Sequence, residues 1–100
     1  MIKRIVKMTF AEEKTALFLA SFWEVQPKIM AFDGCTHLEI WRDVNNPNIF
    51  FTYSHWESEA HLQQYRQSDL FKSTWETTKK MFAGKPEAWS IESLQKTKSS

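Results

Sequence analysis

The sequence predicts an α+β domain, a ferredoxin-like sandwich of order β-α-β-β-α-α-β. Three observations predict it. Residues 2–10 alternate apolar and charged side chains as a strand does, with Ile2, Val6, Met8 and Phe10 against Lys3 and Lys7. Phe18, Phe22, Val25, Ile29 and Phe32 then recur at +4, +3, +4 and +3, one helical stripe. Two β-branched and aromatic runs, 35–43 and 48–56, flank the turn residues "VNNPN" and read as an antiparallel hairpin.

Each element has its own signals. On the first strand Arg4 and Ile5 break strict alternation. In the first helix Leu19, Trp23 and Met30 widen the stripe, and Glu12 and Glu13 suit the positive end of the helix dipole. Pro27 is expected to kink this helix or disturb its last turns, and Gly34 to stop it. On the third strand Ile49, Phe51, Tyr53 and His55 share one face, and Phe50, Thr52, Ser54 and Trp56 the other. Neither face is polar enough to stand in water, so helices should cover one and a second subunit the other. Ser58 reads as the N-cap of a short helix, Glu59–Gln67, and Ser68 with Asp69 caps another at about 69–82. Phe71, Trp75, Thr78 and Phe82 lie along it, Gly84 and Pro86 end it, and 87–95 reads as the last strand. The domain is placed at residues 1–95, with a flexible tail at 96–100.

Composition narrows the function. The chain has 100 residues, 42% apolar and 25% charged, as a small globular domain does. Its 13 basic and 12 acidic residues are well mixed, which argues against nucleic acid or an anionic membrane as partner. No stretch is apolar and long enough to span a bilayer or serve as a signal peptide. With one cysteine, Cys35, no intramolecular disulfide is available, and cytoplasm is the natural setting. Eight Phe, five Trp and two Tyr exceed what a small core usually needs, which points to a pocket or an interface.

The chemistry-bearing residues are few. His37, His55 and His61 fit no zinc spacing and read as unligated polar positions, so no metal is expected. Cys35 has no local base and reads as a half-buried strand residue. Two glycines in the whole chain leave no room for a phosphate-cradling loop. Trp75 sits on the Phe71/Phe82 core stripe, and Trp23 borders the Phe22/Val25 stripe, where it is a candidate cavity wall. Lys7 interrupts an apolar strand, either at a solvated rim or as a polar group aimed into a pocket. Trp56 ends a strand just before a helix, where side chains line the mouth of an α/β layer.

The junction "HWESEAHLQQYRQSDLFK" resembles the antibiotic biosynthesis monooxygenase family of dimeric α+β barrels, through Trp56-Glu57-Ser58, Ala60-His61-Leu62 and Ser68-Asp69-Leu70-Phe71-Lys72. "PKIMAFDGC" and "EIWRDVNNPNIFFTYSHW" are also similar, and the likeness covers residues 2–94. The resemblance implies oxidation of a quinol-like or polycyclic phenolic compound by O2 without a cofactor, or heme degradation. The polyketide branch pairs its strand-end Trp with an Asn four residues earlier and a Tyr six later. Trp56 matches, whereas Thr52 and Leu62 stand in the other two positions. The heme branch's Asn, Trp and His positions hold Lys7, Tyr65 and Trp75, and Trp has no axial lone pair to offer iron. The expected site is therefore Lys7 and Trp56 as catalytic groups, with Trp23, Thr52, Tyr65 and Trp75 around the substrate. In it Lys7 stabilises a phenolate, and His37 or His55 is a weaker candidate base. A non-catalytic dimer holding an apolar ligand is the alternative.

Overall fold

A computed structural model describes residues 1–94, so the tail expected at 96–100 and the last position of the 1–95 domain lie outside the described residues. Strand β1 (Ile2–Thr9) leads through a 3-10 turn (Glu12–Lys14) into α1 (Thr15–Met30). Strands β2 (Cys35–Arg42) and β3 (Ile49–Trp56) follow, then helices α2 (Glu59–Arg66) and α3 (Asp69–Lys79) and the short β4 (Glu87–Ile91). The sheet order is β2-β3-β1-β4 with antiparallel neighbours throughout, which is the expected ferredoxin-like arrangement.

Local chemistry accounts for most boundaries. Ser58 Oγ accepts the His61 backbone N–H at 3.2 Å, and Ser68 Oγ that of Phe71 at 3.1 Å, so both N-caps form as read. In the β2–β3 turn Asp43 Oδ1 accepts the N–H groups of Asn45 and Asn46 at 2.7 and 3.0 Å. Pro27 does not end α1, which continues to Met30. It stands near the helix end, where few later bonds depend on it. Helix α3 stops at Lys79, short of the expected 82. There the chain turns back to β1: Ala83 donates to the Thr9 carbonyl at 2.8 Å, and Phe82 bridges Phe10. Strand β4 likewise ends at Ile91, before the expected 95.

The register of β1 on β3 sorts the side chains. Ile2 lies opposite Trp56, Arg4 opposite Ser54, Val6 opposite Thr52 and Met8 opposite Phe50. These even-numbered residues face the helices. The odd-numbered Lys3, Ile5 and Lys7, opposite His55, Tyr53 and Phe51, face the other way. Two apolar clusters form under the helices. Met8, Phe10, Phe18, Phe22, Phe50 and Met81 make one, and Ile29, Cys35, Trp56 and Leu62 the other. Phe10 stacks on Phe18 with centroids 4.1 Å apart, and Phe50 meets Phe18 edge-on at 5.4 Å. Each such buried ring contributes about 1.5–3 kcal/mol.

The turn from α1 into β2 depends on Gly34. Its φ of +88° is one that side chains with a Cβ rarely adopt, and an added Cβ would collide with Cβ and Cγ of His61. His61 is itself held by Ser58 Oγ at 2.7 Å from Nδ1. Gly34→Ala should therefore cost at least about 1–3 kcal/mol from backbone strain alone. Gly84→Ala, whose Cβ would lie 3.4 Å from Thr9 Cβ, should be close to neutral. Denaturant midpoints of the two variants check this, and equal midpoints would contradict it.

Candidate functional site

Between the sheet and the helices lies a cavity of about 550 Å³, bordered by both apolar clusters. Val6, Met8, Thr52 and Trp56 form its sheet side, Phe22, Val25 and Ile29 come from α1, and Tyr65, Phe71 and Trp75 come from α2 and α3. Four of the six expected site residues, Thr52, Trp56, Tyr65 and Trp75, thus meet around one space.

The aromatic wall is a continuous run of ring contacts. Trp56 stacks on Tyr65 with centroids 4.9 Å apart and planes 24° apart. Tyr65 meets Phe71 edge-on at 5.2 Å, and Phe71 lies parallel to Trp75 at 5.9 Å. Trp75 closes on Phe82 at 5.5 Å. Trp75 is therefore core stripe and cavity wall at once. Trp56 is only 1% exposed, so it backs the cavity rather than projecting into it.

Polar groups enter from the sheet. Trp56 Nε1 donates to Ser54 Oγ at 3.0 Å. That bond occupies acceptor capacity of Ser54 and leaves its own O–H to donate. Arg4 lies directly opposite Ser54 on β1, with Ser90 opposite Arg4 on β4. Arg4 Nη1 donates to Ser90 Oγ at 3.0 Å. Leu38, Ser54, Arg4 and Ser90 thus form one row across the sheet, polar except at Leu38, between rows that are mainly apolar. Burial lowers the Arg4 pKa, and the Arg66 charge lowers it further, while Glu59 opposes both. Burial also pushes the Tyr65 phenol well above its ordinary value of 10.0. Tyr65 therefore stays protonated at neutral pH, with an O–H to donate.

Two expected site residues lie elsewhere. Lys7 is an odd-numbered β1 residue on the face away from the helices, where its Nζ sits 3.8 Å from Glu87 Oε2. The expectation that it points into the pocket is corrected by strand parity. Trp23 is 59% exposed and borders a shallow groove with Leu19, Ile40, Trp41 and Arg42. It flanks the α1 stripe on the side away from the cavity.

The candidate bases His37 and His55 also lie on the outward face of the sheet. His37 pairs with Glu39, His55 Nε2 lies 2.8 Å from the Tyr53 hydroxyl, and Trp41 stacks on Tyr53 at 4.6 Å. His55 is held below the ordinary histidine value, by burial first and then by the His37 and Lys3 charges. His61, in the first turn of α2, meets the Ser58 cap through Nδ1 and stands beside Asp33 and Glu57. No histidine lines the cavity. Among the described residues no cluster of His, Cys, Asp and Glu is arranged to hold a metal ion. Cys35 is buried, which raises its thiol pKa and leaves it a poor nucleophile. Among the described residues no helix is long and apolar enough to cross a membrane.

Sequence reading missed Arg4, Ser54 and Arg66 as cavity residues. The signal for Arg4 was present, since it occupies an inward position on a strand whose other inward residues are apolar.

The protonated state of Tyr65 has a measurable consequence. Its raised native pKa means that the stability it contributes is intact below about pH 10 and lost as pH rises toward the native value. Between pH 9 and 11, Tyr65→Phe should gain about 1 kcal/mol relative to wild type in denaturant unfolding. Identical pH slopes would contradict the assignment.

Residues 1–77 match the family model described as antibiotic biosynthesis monooxygenase. No curated protein matches the chain. Among solved structures, an antibiotic biosynthesis monooxygenase superposes with a TM-score of 0.88 at 16% identity, over 95% of this chain and 100% of that one. A conserved protein from Methanosarcina mazei Go1 gives 0.86 at 21% identity, over 90% and 89% of the two chains. Rv0793 from Mycobacterium tuberculosis gives 0.86 at 11% identity, over 97% and 98%. At these identities the structural likeness establishes the fold, and the family model covers most of the sequence as well. The chain belongs to the antibiotic biosynthesis monooxygenase family.

Proposed function

We propose that the protein is a small cofactor-independent monooxygenase that acts with O2 on a quinol-like or polycyclic phenolic compound. The observation that carries this reading is the aromatic-walled cavity of about 550 Å³, in which Ser54 and Tyr65 supply neutral donors. The wall formed by Trp75, Phe71 and the Trp56–Tyr65 stack suits the face of a flat electron-rich ring. Deprotonated, such a ring reduces O2 itself. For an anthrone, the CH2 carbon gains one oxygen atom and becomes a carbonyl, while the second oxygen leaves as water with the two hydrogens. No external reductant is needed. The protein's part is to exclude water, hold the ring and stabilise the oxyanion. Tyr65 and Ser54 take the stabilising role that strand parity denies to Lys7.

The second reading, a ligand-holding protein without turnover, is favoured by one observation. Thr52 and Leu62 stand where the polyketide branch has its polar pair.

In either reading we propose a homodimer. The outward sheet face carries Trp41, Trp89 and Ile91, each more than 40% exposed. A second copy placed on it would bury them.

Oxygen-electrode assays with 1,8-dihydroxyanthrone and a panel of hydroquinones test the enzyme reading. The expected result is one O2 consumed per anthrone. Tyr65→Phe should lower kcat on the order of 10²-fold, and Lys7→Ala should leave it unchanged. Ligand binding without oxygen uptake would overturn this reading in favour of the second. Sedimentation at micromolar concentration should give twice the chain mass of 11.9 kDa, and a monomer would remove the dimer.

A further inference from the structure

We propose that Arg4, assisted by Arg66, anchors a carboxylate on the cavity's aromatic ligand, so that the ligand class is a carboxylated polycyclic phenol. The proposal rests on the cavity being the ligand site, and not on any turnover there.

The first support is the position of Arg4. A half-buried guanidinium stands between Val6 and Ile2 on the helix-facing side of β1, where an apolar residue would serve the fold better. It has five N–H donors, and Ser90 Oγ is its hydrogen-bond partner among the described residues. Among those residues no carboxylate lies within ion-pair distance of Arg4 or Arg66. Glu59 is near enough to attract Arg4 but accepts a hydrogen bond from Gln63 Nε2 at 2.6 Å.

The second support is the direction of the hydrogen bonds. Ser54 Oγ accepts from Trp56 and Ser90 Oγ accepts from Arg4, so each hydroxyl is left with its proton to give. Ser54, Arg4 and Ser90 are consecutive across three strands. The row therefore offers donors, and its complement is a group that only accepts. A carboxylate is such a group, and a guanidinium binds it through two parallel N–H···O bonds.

The third support is charge. Arg66, at the end of α2, lines the same cavity and depresses the basicity of Arg4. Arg66 is exposed at the cavity rim, so its repulsion of Arg4 is partly screened by solvent, and an anion bound near both offsets what remains. Arg4, Lys28 and Arg66 against Glu24 leave the lining positive, since Glu87 is paired with Lys7 on the outward face. A carboxylate bound there offsets part of that excess. Anchoring at the Arg4 row sets the ring against the aromatic wall, with Ser54 and Tyr65 left to meet its phenolic oxygen.

Isothermal titration of 6-hydroxy-2-naphthoate and 2-naphthol, a pair differing by the carboxylate, tests the proposal. Wild type should bind the naphthoate roughly 10- to 100-fold tighter. Arg4→Gln should abolish most of that preference and leave 2-naphthol affinity unchanged. Arg66→Gln should reduce it in the same sense, and it carries the test should Arg4→Gln not fold. Equal wild-type affinity for the two compounds would overturn the carboxylate anchor while leaving the aromatic site standing. Equal weakening of both compounds in Arg4→Gln would also overturn it. Binding of neither would overturn the aromatic site as well.

Discussion

The pairing register of β1 on β3 is the constraint on which the rest of the molecule depends. Strand side chains alternate with a period of two, so one step of slip exchanges the faces. In the observed register Arg4, Val6, Met8, Thr52, Ser54 and Trp56 point under the helices. A slip by one on β1 would bring Lys3, Ile5 and Lys7 under them instead. The burial of Met8, Phe50 and Trp56, each 3% exposed or less, is what makes that slip costly. Core packing and site assembly are therefore set by the same choice.

That choice also explains which parts of the site were legible in the sequence. Elements were legible because their signals are local: serine caps at 58 and 68, the Asn/Pro turn, the +3/+4 spacing of α1. The exceptions were ends set by distant partners. Phe82 leaves α3 because Thr9 and Phe10 capture the chain beyond it. Trp56, Tyr65 and Trp75 were legible as a group because the strand-helix-helix junction brings them together. Thr52 is also there, at the position where the polyketide branch has its Asn. Lys7 and Trp23 were misplaced for a common reason. Each was weighed by its interruption of, or proximity to, an apolar pattern, without fixing its face. Arg4 was the more telling interruption. It stands in phase with the apolar residues of β1, whereas Lys7 stands in phase with Lys3.

The two faces of the sheet divide the chemistry. The helix-facing side holds aromatic wall, neutral donors and guanidiniums. The outward side holds two hydrogen-bonded groups, His37–Glu39–Trp41 and His55–Tyr53, joined by ring contacts. The histidines are thus kept out of the cavity. Guanidinium and buried phenol remain protonated throughout the physiological range. Such a lining fits a reaction whose reactivity comes from the substrate's own ring better than one needing a histidine base.

The indole N–H signals of the five tryptophans report this division directly. Trp56 and Trp75 border the cavity, Trp23 the shallow groove, and Trp41 and Trp89 the outward side of the sheet. Titration of 15N-labelled protein with 2-naphthol should shift the Trp56 and Trp75 indole resonances and leave those of Trp23, Trp41 and Trp89 in place. Shifts confined to Trp41 and Trp89 would put the ligand on the outward face and contradict the account.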